Sequence, residues 1–130
     1  MRFTGKLAFE QIARRKSEGE PDLDDKFRII AILRDFGLHG LTGEVTKVGD
    51  DAYRLPDLLI KNCKPEIVIE LDGEMHGNGE QITKRPRDET RDSDYIRNGY
   101  RLIIINKEQT NGYETEKVIK LLEENGLKKL

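Results

Sequence analysis

Three carboxylates and an imidazole stand in or beside the apolar runs of one stretch of this chain. In "YRLPDLLIKNCKPEIVIELDGEMHG", residues 53–77, they are Asp57, Glu70 and Asp72, among five acids in all, and His76. Side chains of a strand alternate between faces, so Ile67, Ile69 and Leu71 share one side of "EIVIELDG" and Val68, Glu70 and Asp72 share the other. Asp57 sits on the preceding strand, across a short hairpin, where it can approach Glu70. Gathered carboxylates repel unless a cation lies among them, and a hard divalent ion is the usual occupant. An imidazole at His76, on the loop that leaves the strand, could take a proton from water or give one to a leaving oxygen.

Beyond that loop, "KRPRDETRDSDYIRNGYR" supplies Lys84, Arg85, Arg87 and Arg91, a local basic stretch suited to phosphate. Asp88 and Asp92 stand one helical turn apart and share a face, so either can complete the acidic group or orient His76. Each feature also has a plain structural explanation. Asp57 after Pro56 can be a turn acid, Asp72-Gly73 a turn signal, and the arginines a solvated helix face paired with aspartates. Glu70 resists that explanation, because an unpaired acid in a buried strand costs several kcal/mol, on the order of 2–7. His39 and Cys63 read as a loop residue and a turn residue without chemistry.

Strands and helices must hold these groups. The chain of 130 residues is expected to form a single domain over 1–130, burying roughly two thirds of its unfolded surface. A helix is expected over 5–16, with Leu7, Ala8 and Ile12 inward, then a polar break at "SEGEPD". A second helix, "DDKFRIIAILRDFG", is capped by Asp22, Asp24 or Asp25 and stopped at Gly37. Its expected apolar face is Phe27, Ile30, Ala31 and Leu33, widened by Ile29, Ile32 and Phe36. Three strands follow, turning at "GDD" and "NCKP" as antiparallel hairpins. After a polar loop from Gly73 to about Pro86 come a helix over 87–98, an apolar strand "YRLIIIN" expected at the centre of the sheet, and a helix over 114–125. The expected order is α-α-β-β-β-α-β-α, an α/β fold with a small mixed sheet of about four strands flanked by helices.

Composition narrows the setting. Charged residues make up 37% of the chain, yet the formal net charge is only -2, so any polyanion must be met by a local patch. Tryptophan is absent and aromatics are few, which disfavours a stacking platform for single strands. A lone cysteine points to a reducing, cytoplasmic setting. No apolar run approaches the ~20 residues of a membrane span, and the N-terminal stretch is too polar for a signal peptide.

Taken in order, these motifs resemble the PD-(D/E)XK nuclease superfamily, and more narrowly its very-short-patch-repair-like branch. Pro56-Asp57 followed by Glu70-x-Asp72 is similar to the superfamily's metal-binding core. Glu70, Asp72, Gly73 and His76 match the branch's E-x-D-G-x-x-H segment. Asp88, Arg91 and Asp92 match its D-x-x-R-D, and Gly99-Tyr100 its G-[YW] lead into a strand. The resemblance covers about residues 53–106 and implies a restriction-endonuclease-like fold. It implies a metal-dependent endonuclease that nicks or cuts DNA. Asp57 and Glu70 would hold Mg2+ or Mn2+ with a backbone carbonyl near Leu71. His76 would act on the water or the leaving group, supported by Asp88 or Asp92. An early-helix acid, Glu10, Asp24 or Asp25, often joins such sites. DNA is the implied partner, and a homodimer is common among such nucleases. Asp72 departs from the superfamily's pattern, standing where its lysine is usual; the branch uses histidine instead. A catalytically inactive nuclease-fold module that binds DNA or a protein partner is the alternative.

Overall fold

A run of residues buried on both faces, 67–71, organises the molecule. The computed structural model describes residues 2–4, 23–72, 75–76, 83–84 and 89–130. Its elements are β1 (Arg2–Thr4), α1 (Leu23–Arg34), β2 (Gly40–Leu41), β3 (Thr46–Gly49), β4 (Ala52–Arg54), β5 (Leu58–Ile60) and β6 (Ile67–Asp72). They continue with β7 (Met75–His76), β8 (Thr83–Lys84), α2 (Glu89–Arg97), β9 (Arg101–Asn106) and α3 (Thr115–Glu124). The helix expected over 5–16 and the polar break after it lie outside the described residues.

The principal sheet is mixed, in the order β2-β5-β6-β9. β5 and β6 pair antiparallel, with Leu58 opposite Ile69 and Ile60 opposite Ile67. β6 and β9 pair parallel, from Ile67 opposite Arg101 to Asp72 opposite Asn106, and α2 lies on the crossover between them. One face of the sheet carries Leu58, Ile60, Ile67, Ile69, Leu71, Ile103 and Ile105, packed with α1 and α3. The other carries Leu59 and Val68, packed with Tyr95 of α2 and with Val48 and Ala52 of a second sheet, β1-β4-β3. No helix among the described residues is long and apolar enough to cross a membrane.

Several expectations hold and several do not. α1 begins with Asp24 and Asp25 in its first turn, where the helix dipole favours negative charge. Gly37 ends it in the left-handed region at φ 71, with the Leu38 N–H bonded back to the Leu33 carbonyl. Its buried face differs, however. Lys26, Ile29, Ile32, Leu33 and Phe36 turn inward, while Phe27 is 53% exposed and Ala31 faces out. With apolar residues nearly all round this helix, the pattern permits more than one rotation, and packing selects among them.

The expected middle strand is two strands. β4 belongs to the small sheet and β5 to the large one, and the chain changes sheets across Leu55-Pro56-Asp57. Proline has no N–H to donate to a ladder, so pairing breaks there. β9 lies at the end of the described sheet order rather than at its centre. Its apolarity reflects cover on its two faces: Ile103 and Ile105 are buried on one, Leu102 and Ile104 half-buried on the other. Lateral position leaves no such mark on composition. Within the expected polar loop, Met75 pairs with Lys84 and His76 with Thr83.

Candidate functional site

The break at Pro56 has a second consequence. It leaves Asp57 one residue before β5, where the β5–β6 register runs on to place it across from Glu70. Strand alternation turns both onto the α2 side of the sheet, since Leu59 and Val68 also face that side. The Asp57 carboxylate accepts a hydrogen bond from the Leu71 N–H at 2.7 Å, which fixes its orientation. Its carboxyl neighbours that of Glu70, and two ionised carboxylates so placed repel.

Burial disfavours the charged form of both. Desolvation raises the Asp57 carboxyl above its ordinary value, against the bonds from Glu70 and Leu71 and the charge of Lys26. Glu70, only 5% exposed, is raised well above its ordinary range by burial first and by the neighbouring Asp57 second, with Arg91 opposing.

α2 supplies the rest. Arg91 forks onto Asp72 through two hydrogen bonds of 3.2 and 2.9 Å and reaches the Asp92 carboxylate at 3.2 Å. Its remaining approach is to Glu70, at 4.0 Å. Asp92, 5% exposed, is thus held within the protein by a cation from its own helix. One turn further on is Tyr95, 1% exposed, whose ionisation is pushed far up by burial and then by the Glu70 charge. Arg91, Asp92 and Tyr95 fall at i, i+1 and i+4, which gives one stripe of α2 facing the acids.

From the opposite end comes Lys26 of α1, 3% exposed on a face otherwise built of isoleucine, leucine and phenylalanine. Its ammonium lies 3.4 Å from the Thr42 hydroxyl and acts on Asp57. The described group is therefore Asp57, Glu70, Asp72 and Asp92 with Arg91 and Lys26 between them. The cations are outnumbered by the acids.

The structure thus brings together Asp57, Glu70, Asp72 and Asp92, as well as Arg91. Arg91 faces inward and pairs with these carboxylates. His76 is placed only through its backbone on β7, and Lys84 through its backbone on β8. Arg85, Arg87, Asp88 and Glu10 lie outside the described residues. Of the early-helix acids, Asp25 pairs with Lys107 at 3.4 Å and Asp24 is exposed.

Among the described residues no three Asp, Glu, His or Cys side chains form a metal-holding group. The oxygen donors that do converge are Asp57, Glu70 and one carbonyl. Arg101 N–H bonds the Glu66 carbonyl and Lys107 N–H the Asp72 carbonyl, so even-numbered carbonyls of β6 face β9. Leu71 therefore directs its carbonyl to the β5 side, beyond the start of that strand, where Asp57 stands. Hard oxygen donors of this kind suit Mg2+ or Mn2+.

Lys26 and Tyr95 went unread in the sequence. Tyr95 had a signal, its spacing from Arg91 and Asp92 on one helix face. Lys26 had one only for a helix rotated to its true face. Set against protein-family models, curated proteins and solved structures, the chain matches none of them.

Proposed function

We propose that the protein is a metal-dependent endonuclease that hydrolyses DNA phosphodiester bonds, with Asp57 and Glu70 as ligands of a Mg2+ or Mn2+ ion. The observation that supports this reading most is the buried Asp57–Glu70 pair on adjacent strands. Two buried acids side by side, both disfavoured in their charged form by burial, are an unfavourable arrangement for a core and a favourable one for a doubly charged ion.

Asp57, Glu70 and the Leu71 carbonyl would hold the ion, which when bound would polarise a phosphate and lower the pKa of its water. The protein's own residues do the remaining work. The Leu71 N–H orients Asp57, and Arg91 locks Asp72 and Asp92 against α2 so that the acids keep their spacing. His76, on the hairpin strand that follows β6, is the candidate to move a proton at the water or the leaving oxygen. Lys84, Arg85 and Arg87 follow in the sequence as the candidate phosphate contacts.

The Arg91 clasp favours a second reading. Asp72 and Asp92 are neutralised from within, as they would be in a nuclease-fold module that binds DNA or a partner without cutting it.

Pure protein incubated with supercoiled, linear, mismatched and branched DNA separates the two. Nicking or cutting in Mg2+ or Mn2+, absent with chelator and absent in Glu70→Ala, is the expected outcome. Full activity in a folded Glu70→Ala variant would refute the site. DNA binding without cleavage in either metal would favour the module.

A further inference from the structure

The chain has six asparagines, and glycine follows four of them, Asn78, Asn98, Asn111 and Asn125. Asn78 and Gly79 lie outside the described residues. Asparagine before glycine is the pairing most open to deamidation, because glycine has no Cβ to shield its backbone nitrogen from the preceding side chain. That nitrogen attacks the asparagine Cγ. The new C–N bond closes an imide ring, and the side-chain amide leaves as ammonia with the proton of the attacking N–H. Water then adds to either imide carbonyl and reopens the ring as aspartate or isoaspartate. The net reaction consumes water and replaces a neutral amide by a carboxylate.

Solvent reaches the three described pairs, since Asn98 and Asn111 are exposed and Asn125 is half-buried. What the fold withholds is the nucleophile. The Gly99 N–H bonds the Ile96 carbonyl at 3.2 Å, the Gly112 N–H the Lys107 carbonyl at 2.7 Å, and the Gly126 N–H the Glu123 carbonyl at 2.9 Å. These glycines stand at φ 84, 75 and 86, the left-handed geometry that glycine adopts without strain. The side chains are tied as well. The Asn98 amide donates to the Asp94 carbonyl at 2.7 Å and to the Val48 carbonyl at 2.8 Å. The Asn111 amide donates to the Glu114 carboxylate at 3.1 Å, and the Asn125 amide to the Leu121 carbonyl at 2.8 Å.

We infer that these three Asn-Gly pairs are latent deamidation sites, inert while their turns stay closed, and that Asn98 is the one whose conversion loosens α2. Attack requires an opening in which the glycine N–H leaves its carbonyl and the asparagine leaves its acceptor. The first half of that opening also lets the N–H exchange with solvent. The consequences differ among the three. Converting Asn98 sets a carboxylate, which has no proton to give, against two carbonyl oxygens. One of those belongs to β3, so a bond between α2 and the small sheet is lost, and α2 carries Arg91 and Asp92. Converting Asn111 loses only a bond to Glu114 in an exposed turn. Converting Asn125 changes the end of a helix on the other face of the sheet.

The test holds the full chain at mildly alkaline pH, native and in urea, and follows the three asparagines by peptide mass spectrometry. Exchange of the Gly99, Gly112 and Gly126 amides is measured by NMR on the native chain. All three asparagines are expected to convert in urea. In the native chain each is expected to slow by at least the factor by which its glycine amide is protected from exchange. A site that slows by less than that factor, or that stays intact in urea, overturns the inference.

Asn98→Asp tests the consequence. Amide exchange along Glu89–Arg97 is expected to quicken about fivefold, the effect of losing a single hydrogen bond, while Asn111→Asp leaves it as in the wild type. Should Asn98→Asp not fold, Asn98→Ala, which removes the donors without adding charge, is read in the same way. Unchanged exchange along α2 overturns the role given to Asn98.

Discussion

Arg91 shows how one side chain can settle the character of a whole acidic group. It makes two hydrogen bonds to Asp72, two to Asp92 and one close approach to Glu70, with its own side chain 15% exposed. Removing one partner of a buried ionic group is far more damaging than removing a surface pair, because the charges left behind cannot regain their water. Arg91→Ala is therefore expected to destabilise the protein by about 3–5 kcal/mol in urea titration. Lys107→Ala, which removes the more exposed pair with Asp25 at 3.4 Å, is expected to cost about 0–1 kcal/mol. Equal effects of the two would mean that the Arg91 network is open to solvent. The arginines of this stretch can be read from sequence as a solvated helix face or as phosphate contacts. In the structure Arg91 pairs with aspartates from a partly buried position, because β6 brings Glu70 and Asp72 within its reach.

At the level of elements, α2 decides the geometry of the acids, and the small sheet holds α2 in place. Arg54 of β4 donates from Nε to Asp94 of α2 at 2.8 Å, with the two side chains 4% and 13% exposed. Asn98 adds a bond of 2.8 Å from its amide to the Val48 carbonyl of β3. Losing Asp94 leaves a buried guanidinium with Nη1 already unpartnered. Asp94→Ala is expected to cost about 3 kcal/mol or more. It is also expected to loosen α2, read as faster amide hydrogen exchange along Glu89–Arg97 with exchange along α3 unchanged. Uniform acceleration in both helices would mean that the bridge supports the whole fold rather than this helix. A different test belongs to the basic loop. Reversing charge at Lys84, Arg85 and Arg87 is expected to weaken DNA binding and flatten its dependence on salt. A slope equal to that of the wild type would move the binding surface elsewhere.

For the molecule as a whole, the buried acids make stability a function of pH and of metal. Asp57 and Glu70 both ionise less readily in the folded chain than in the unfolded one. The folded state therefore holds more protons above the ordinary carboxylate range, and stability falls as pH rises. The contribution is fully present below the unfolded values, near 3.8 and 4.5, and is lost as pH rises through the raised native ones. Metal-free protein is thus expected to melt at lower temperature at pH 8 than at pH 5.5. Glu70→Gln, which removes the most strongly raised acid, is expected to flatten the difference. Mg2+ or Mn2+ is expected to restore the alkaline midpoint of the wild type, by about 2.7 kcal/mol at a hundred times the dissociation constant. A melting temperature that climbs from pH 5.5 to 8 without metal would contradict the raised ionisation of these two buried acids.

Much of this was legible residue by residue. The two-residue alternation of "EIVIELDG" sorted Glu70 and Asp72 from Ile69 and Leu71, and the hairpin turn at "NCKP" brought Asp57 opposite Glu70. The helices over 23–34, 89–97 and 115–124 followed from apolar spacing, early acids and terminal glycines. Such features depend on neighbours a few residues away, where steric and hydrogen-bonding rules act within the chain itself. Which way α1 turns, which edge β9 takes, and whether Arg91 faces water or acid depend on partners tens of residues distant. Those outcomes come from packing one face against another, and no local pattern carries that information. Lys26 makes the point: its burial beside Asp57 follows from how a whole helix rotates to cover a sheet, and nothing in the spacing of its immediate neighbours required it.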